Sequence, residues 1–163
     1  MGNAYRPAII LMADDDDDDY LVTRNAFQEL PSPNRFFRVD NGEELMDYLF
    51  RRGQYSNSKN FPIPDIILLD VNMPKKNGHE ALKEIRAHPD LQMIPVVILS
   101  VSHDKEVIGR SYRLGANSFI KKPISYDQLM VIVKALSHYW FDIVTLPATN
   151  SIRKGNHFLE AVE

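Results

Sequence analysis

Asp65-Ile66-Ile67-Leu68-Leu69-Asp70 sets four consecutive aliphatic residues between two acids, with no alternation of apolar and polar positions. A strand apolar at every position must be covered on both faces, which is how the strands of a parallel sheet read. The run follows a polar stretch from Gly53 to Pro64, read as a loop for its Ser, Asn, Gly and Pro content. It leads into Val71-Asn72-Met73-Pro74-Lys75-Lys76-Asn77-Gly78, a turn marked by Pro74 and Gly78. Asn77 and Glu80 have capping-box spacing and open a helix carrying Ala81, Leu82 and Ile85, which Pro89 closes.

The same alternation extends in both directions. Ala8-Ile9-Ile10-Leu11-Met12-Ala13 is a short apolar strand ending in acids, and Leu21, Val22, Ala26, Phe27 and Leu30 then recur at helical spacing up to Pro31. Arg35 to Val39 reads as a strand, and Asn41 with Glu44 has capping-box spacing before a helix carrying Leu45, Met46, Leu49 and Phe50. Downstream, Ile94 to Ser100 is a strand, Asp104 to Leu114 a helix, and Gly115 a left-handed stop. Ser118 to Lys121 is a short strand, and Ser125 with Gln128 caps a last helix through Leu129, Val131, Ile132, Ala135 and Leu136 towards Trp140. Five strands alternate with five helices. With right-handed crossovers this predicts an α/β fold, an open, doubly wound five-stranded parallel sheet.

The chain has 163 residues, 44% hydrophobic and 25% charged, which predicts a single domain over residues 1–148. Within it, 142–148 is an apolar C-terminal extension, and 149–163 is expected to be a polar, disordered tail. There is no cysteine, which excludes disulfides and thiolate metal sites. The longest apolar runs are far short of the roughly 20 residues of a membrane span, and no secretory signal precedes them, so a cytoplasmic location is expected. Net charge is −3, yet six acids are consecutive, Asp14 to Asp19; without them 19 basic residues face 16 acidic ones, a balance of +3. The acidity is therefore local. No basic block or aromatic-basic stripe indicates nucleic acid as a ligand.

The polar residues at strand ends carry the functional reading. Asp14 and Asp15 follow the first strand, Asp70 ends the third, Ser100 the fourth and Lys122 the fifth, so a parallel sheet gathers them on one rim, where such folds bind ligands. Carboxylates about 4 Å apart repel by about 4 kcal/mol per pair at an effective dielectric near 20. A divalent cation relieves that cost, and a hard, partly hydrated oxygen site suits Mg²⁺. Carboxylate, metal, ammonium and hydroxyl together are the parts needed to place a phosphoryl group on a carboxylate. Asp70, alone at the end of a central strand, is the expected nucleophile, and the paired aspartates are the better metal holders.

These segments resemble the receiver domain of two-component response regulators, a flavodoxin-like fold, over about residues 8 to 141. The resemblance is carried by Ile10-Leu-Met-Ala-Asp-Asp15, Leu68-Leu-Asp-Val-Asn-Met-Pro74 with Gly78, Pro95-Val-Val-Ile-Leu-Ser100, and Gly115-Ala-Asn-Ser-Phe-Ile-Lys-Lys-Pro123, in that order. It implies phosphorylation of Asp70 by a sensor histidine kinase. It further implies Asp15, Asp70 and the Asn72 carbonyl as Mg²⁺ ligands, with Asp14 acting through water. Lys122 would contact the phosphoryl group, its bond to Pro123 would be cis, and Ser100 and Phe119 would form a switch. Phe119 has a plain core reading beside that one. The loop before the third strand and the ending His138 to Pro147 are similar to the stand-alone regulators paired with bacterial phytochrome-type kinases.

Three features depart from the pattern. Val101 stands where the family usually has a small residue, and its bulk is expected to narrow access to Asp70. Lys121 offers a second ammonium beside Lys122, which is favoured because it directly precedes Pro123. Asp16 to Asp19 exceed the acidic pair and leave its register open by one residue; they read as a solvated helix start, favoured by the helix dipole. The five histidines show no metal-ligand spacing, and Tyr139 to Phe141 read as helix packing. The expected output is a conformational switch, or a homodimer through the fourth helix, fifth strand, fifth helix and the C-terminal extension. Asn72, two residues after Asp70, argues against an aspartate-based phosphatase, which needs a second Asp there. A phosphate-independent receiver-like binding module is the alternative reading.

Overall fold

In a computed structural model, which describes residues 6–147, the strands are β1 (Ala8–Ala13), β2 (Asn34–Val39), β3 (Ile66–Leu69), β4 (Val96–Ser100) and β5 (Ser118–Lys121). The helices are α1 (Asp17–Gln28), α2 (Gly42–Leu49), α3 (Gly78–Ala87), α4 (Lys105–Arg113) and α5 (Tyr126–Ser137). All strand pairs are parallel, in the order β2-β1-β3-β4-β5. This is the five-stranded doubly wound fold expected from the sequence. The polar tail 149–163 and Ala148 lie outside the described residues.

β3 lies at the centre, and its four side chains divide between two cores because successive residues face opposite ways. Ile67 and Leu69 join Leu11, Ala13, Leu45, Leu82, Ile85 and Ile98 under α2, α3 and α4. Ile66 and Leu68 join Ile10, Met12, Ala26, Phe27, Val97, Leu129 and Val133 under α1 and α5. Burying one such side chain fully contributes roughly 1.5–3 kcal/mol.

Several local expectations are refined. The Asn77–Glu80 capping box is complete, whereas at α2 Asn41 accepts from the Glu44 amide but Glu44 reaches back to Asp40 N–H, one residue too early. β4 begins at Val96, since Pro95 has no amide hydrogen to enter the ladder. On α1 the buried face is Thr23, Ala26 and Phe27, while Leu21 and Val22 are exposed. The polar loop Gly53 to Pro64 is partly core: Tyr55, Phe61 and Tyr48 meet in edge-on or tilted ring contacts, and Tyr48 donates to the Pro62 carbonyl at 2.7 Å.

Two corrections concern the C-terminal part. The Lys122–Pro123 bond is trans, as are all peptide bonds among the described residues. Trans is the lower state even before proline, by about 0.5–1 kcal/mol, and the trans chain already carries Lys122 to the acids. The last helix stops at Ser137 and widens into a π-helical turn, His138–Ile143. That turn packs Trp140 and Phe141 against the α1/α5 core and leaves Tyr139 and Ile143 exposed. No described helix is long and apolar enough to cross a membrane.

Candidate functional site

The carboxyl ends of β1, β3, β4 and β5 meet, and Asp14, Asp15, Asp70, Ser100 and Lys122 stand together there as the strand-end argument requires. Register does the positioning. Ala13 pairs with Leu69, and Asp70 N–H donates to the Ala13 carbonyl at 3.0 Å, which sets Asp14 beside Asp70. Ser100 pairs with Lys121, and Lys122 N–H donates to the Ser100 carbonyl at 2.9 Å. Gly78 closes the turn after β3. A Cβ there would stand 2.1 Å from the Asp70 carbonyl oxygen, so only glycine lets α3 start this close to the site.

Asp14 is fully buried, Asp70 nearly so, and Asp15 is exposed. One ligand oxygen from each of the three lies within 4.8 Å of the others, a group able to hold a metal ion. Lys122 Nζ donates to Asp14 Oδ2 at 2.8 Å, Asp70 Oδ2 at 2.9 Å and Asp19 Oδ2 at 2.7 Å. Burial by itself would push the lysine down, but its hydrogen bonds to Asp14, Asp19 and Asp70 outweigh it and hold its pKa above the ordinary value. Asp14 is pushed up, by burial first, against the opposing hydrogen bonds from Lys122 and the Asp16 amide. The second oxygen of Asp14 accepts that amide at 2.9 Å, and Asp70 Oδ1 accepts Asn72 N–H at 3.2 Å.

The opposite wall is neutral. Ser100, fully buried, accepts the Ser102 amide on its Oγ at 3.2 Å, and Asn72 Nδ2 donates to Ser102 Oγ at 2.7 Å across the two loops. Val101 is 64% exposed. Phe119 is half-buried against the α2/α3/α4 core, and its amide donates to the Tyr112 hydroxyl at 3.1 Å. Lys121 is exposed, so Lys122 is the ammonium at the site.

Two participants were not read from the sequence. Asp19, assigned to a solvated helix start, bonds Lys122. The available signal was helical period, since Asp19 shares a face with Thr23 and Ala26, both buried. Ser102 was not singled out, and nothing local marks it.

Site and fold define a class. The sequence pattern of the response regulator receiver domain matches residues 10–134, and the chain belongs to that family. Among individual proteins it is similar to response regulator Rcp1 of Synechocystis, 35% identical over 142 residues that span 87% of this chain and 95% of Rcp1. The crystal structure of the phosphorylated cyanobacterial phytochrome response regulator RcpA superposes with a TM-score of 0.82 at 38% identity, over 88% of this chain and all of RcpA. The Mn²⁺-bound form of Rcp1 gives a TM-score of 0.79 at 34% identity, over 87% of this chain and all of that one.

Proposed function

We propose that the protein is a response regulator whose Asp70 accepts a phosphoryl group from a sensor histidine kinase, with Mg²⁺ bound by the neighbouring acids. The observation that carries this reading is the excess of carboxylates over cations: Asp14, Asp19 and Asp70 share one ammonium while Asp15 stands beside them. Asp15, Asp70 and the Asn72 carbonyl would hold the metal, with Asp14 behind through water. When bound, Mg²⁺ supplies compensation for negative charge on the phosphoryl oxygens.

One Asp70 carboxylate oxygen attacks phosphorus. A new P–O bond forms as the bond to the donor's leaving group, an imidazole nitrogen of the kinase, breaks and that group keeps the electron pair. The Lys122 ammonium turns from Asp70 Oδ2 to a phosphoryl oxygen. The acyl phosphate replaces a single charge by about two and adds acceptor oxygens. Ser100 Oγ, which accepts the Ser102 amide, is the hydroxyl that moves towards them, and Phe119 follows inward. The bias falls on α4, β5 and α5.

The likeness to RcpA and Rcp1 supports a phytochrome-type kinase as the donor and a cytoplasmic site of action. Exposed Val131, Tyr139 and Ile143 support a homodimer as the output. Light scattering of Val131→Asp with Ile143→Asp tests it: a mass lower than wild type is expected, and an unchanged mass argues against the interface.

The principal test uses acetyl phosphate and Mg²⁺, with phosphorylated species resolved on a phosphate-affinity gel. Wild type shifts and Asp70→Asn does not. An unshifted wild type, or a shift that survives in Asp70→Asn, overturns the assignment.

A further inference from the structure

We infer that Asp19 is a positioning residue for phosphoryl transfer: it pins the Lys122 ammonium at the edge of the site while the other partners of that ammonium are drawn into the reaction. The inference rests on the reading of Asp70 as phosphoacceptor and names a residue that reading does not use.

An ammonium has three donors, and here all three are committed, to Asp14, Asp19 and Asp70. The three acceptors are not equivalent. Asp14 and Asp70 belong to the group whose oxygens converge within 4.8 Å, while Asp19 lies outside it. The proposed chemistry therefore calls Asp14 and Asp70 away from the lysine. The bond to Asp19 has no such competitor, so it persists and leaves two donors free to swing to phosphoryl oxygens. Without it the ammonium would sit at the end of a flexible four-carbon stem, oriented by groups that change partners during the reaction.

Asp19 is built to serve as that fixed point. Its amide donates to the N-cap side chain of Asp16 at 2.9 Å, and its carbonyl accepts the Thr23 hydroxyl at 2.7 Å, so the backbone is tied in both directions. Helical geometry turns it towards the sheet. Its neighbours differ: Asp17 is 83% exposed on its side chain and pairs with Arg38, and Asp18 makes none of the three Lys122 bonds. A groove of about 260 Å³, lined by Asp18, Asp19, Val22, Lys122, Ile124 and Tyr126, opens beside the pair.

The test compares Asp19→Ala, Asp19→Asn and Asp18→Asn with wild type. All three leave the backbone cap at Asp16 available, and alanine is favourable inside a helix. The first measurement is the phosphorylation rate with acetyl phosphate at saturating Mg²⁺. Asp19→Ala is expected to fall about ten-fold, the rate equivalent of one hydrogen bond to a charged group. Asp19→Asn, which keeps an acceptor oxygen without the charge, retains most of the rate. Asp18→Asn, which removes a charge without touching the lysine, stays at the wild-type rate.

The second measurement needs no turnover: the ¹⁵N resonance of the Lys122 ammonium, followed by NMR as Mg²⁺ is added. It stays protected from exchange in wild type and is lost in Asp19→Ala. Equal rates for Asp19→Ala and wild type overturn the inference, as does a loss in Asp18→Asn matching that in Asp19→Ala. So does an ammonium signal unaffected by Asp19→Ala. If wild type itself takes no phosphate, the prior reading of Asp70 fails instead, and the NMR result still reports on the lysine's anchor.

Discussion

The strand β3 is bracketed by two buried aspartates, Asp65 and Asp70, each with an ion-pair partner, and they do opposite things. At the amino end, Asp65 accepts Arg6 Nη2 at 2.7 Å on one oxygen and the Ile9 amide at 2.8 Å on the other. One negative charge meets one positive charge, both oxygens are satisfied, and the side chain ties the chain before β1 to the start of β3. At the carboxyl end, Asp70 is one of three carboxylates around a single ammonium, with a fourth nearby. Burial and ion pairing are common to both residues and so do not mark a reactive site. What marks it is charge left over after the pairs are counted, because that surplus is what a cation and then a phosphoryl group can use.

The largest expected effect comes from removing the cation at each end. Lys122→Ala leaves buried carboxylates uncompensated and should lower stability by about 3 kcal/mol in EDTA, the scale of a broken buried pair. Millimolar Mg²⁺ should restore much of it. Arg6→Ala leaves only one buried carboxylate without its cation, and that carboxylate keeps the Ile9 amide, so it should cost less, about 1–2 kcal/mol, and gain nothing from Mg²⁺. Urea unfolding with and without metal measures both. Equal losses at the two ends, or equal responses to Mg²⁺, would remove the distinction.

Removing the acids gives the next effect, with opposite signs. Asp65→Asn should destabilise the metal-free protein by about 2 kcal/mol, since it deletes a satisfied charge and keeps only part of its hydrogen bonding. Asp70→Asn should stabilise it by about 1 kcal/mol, because Lys122 keeps two carboxylate partners while a repulsive neighbour disappears. The two thermal midpoints in EDTA should therefore move in opposite directions, and a shared sign contradicts the surplus-charge account.

How much of this could be read from the sequence follows from how each feature is encoded. The strands were legible because Ile66 to Leu69 and Ile10 to Ala13 are apolar at consecutive positions, and Asp14, Asp70, Ser100 and Lys122 followed once the strand ends were known to share a rim. The Asp65–Arg6 pair was not, because it depends on the direction of two side chains at the other edge. Asp19 was missed since a run of identical acids gives composition no means of telling which of Asp17 to Asp19 turns towards the site; only the phase of α1 does. The aromatic packing of Tyr55 and Phe61 was hidden by the polar residues around them. Leu21 and Val22 misled for the converse reason: apolar type at helical spacing located the helix, but its phase put Thr23 on the buried side.

His79 extends the comparison to a third way of burying an ionisable side chain. It is 6% exposed and, among the described residues, has no carboxylate ion-pair partner; its Nε2 lies 2.8 Å from Ser111 Oγ, joining α3 to α4. Burial, and then the charge of Arg110, lower its pKa below the ordinary histidine value. A histidine depressed in this way takes up its proton in the unfolded chain first. As pH falls below the ordinary histidine value of about 6.5, the unfolded state binds more protons than the native one and stability declines. The slope cannot exceed about 1.4 kcal/mol per pH unit for one group. His79→Gln retains hydrogen-bonding capacity towards Ser111 and has no such proton, so its stability between pH 5 and 6.5 should decline less steeply than wild type. Urea midpoints across that range measure the difference, and parallel profiles would show that His79 takes up its proton equally in the folded and unfolded states, which contradicts the lowered pKa.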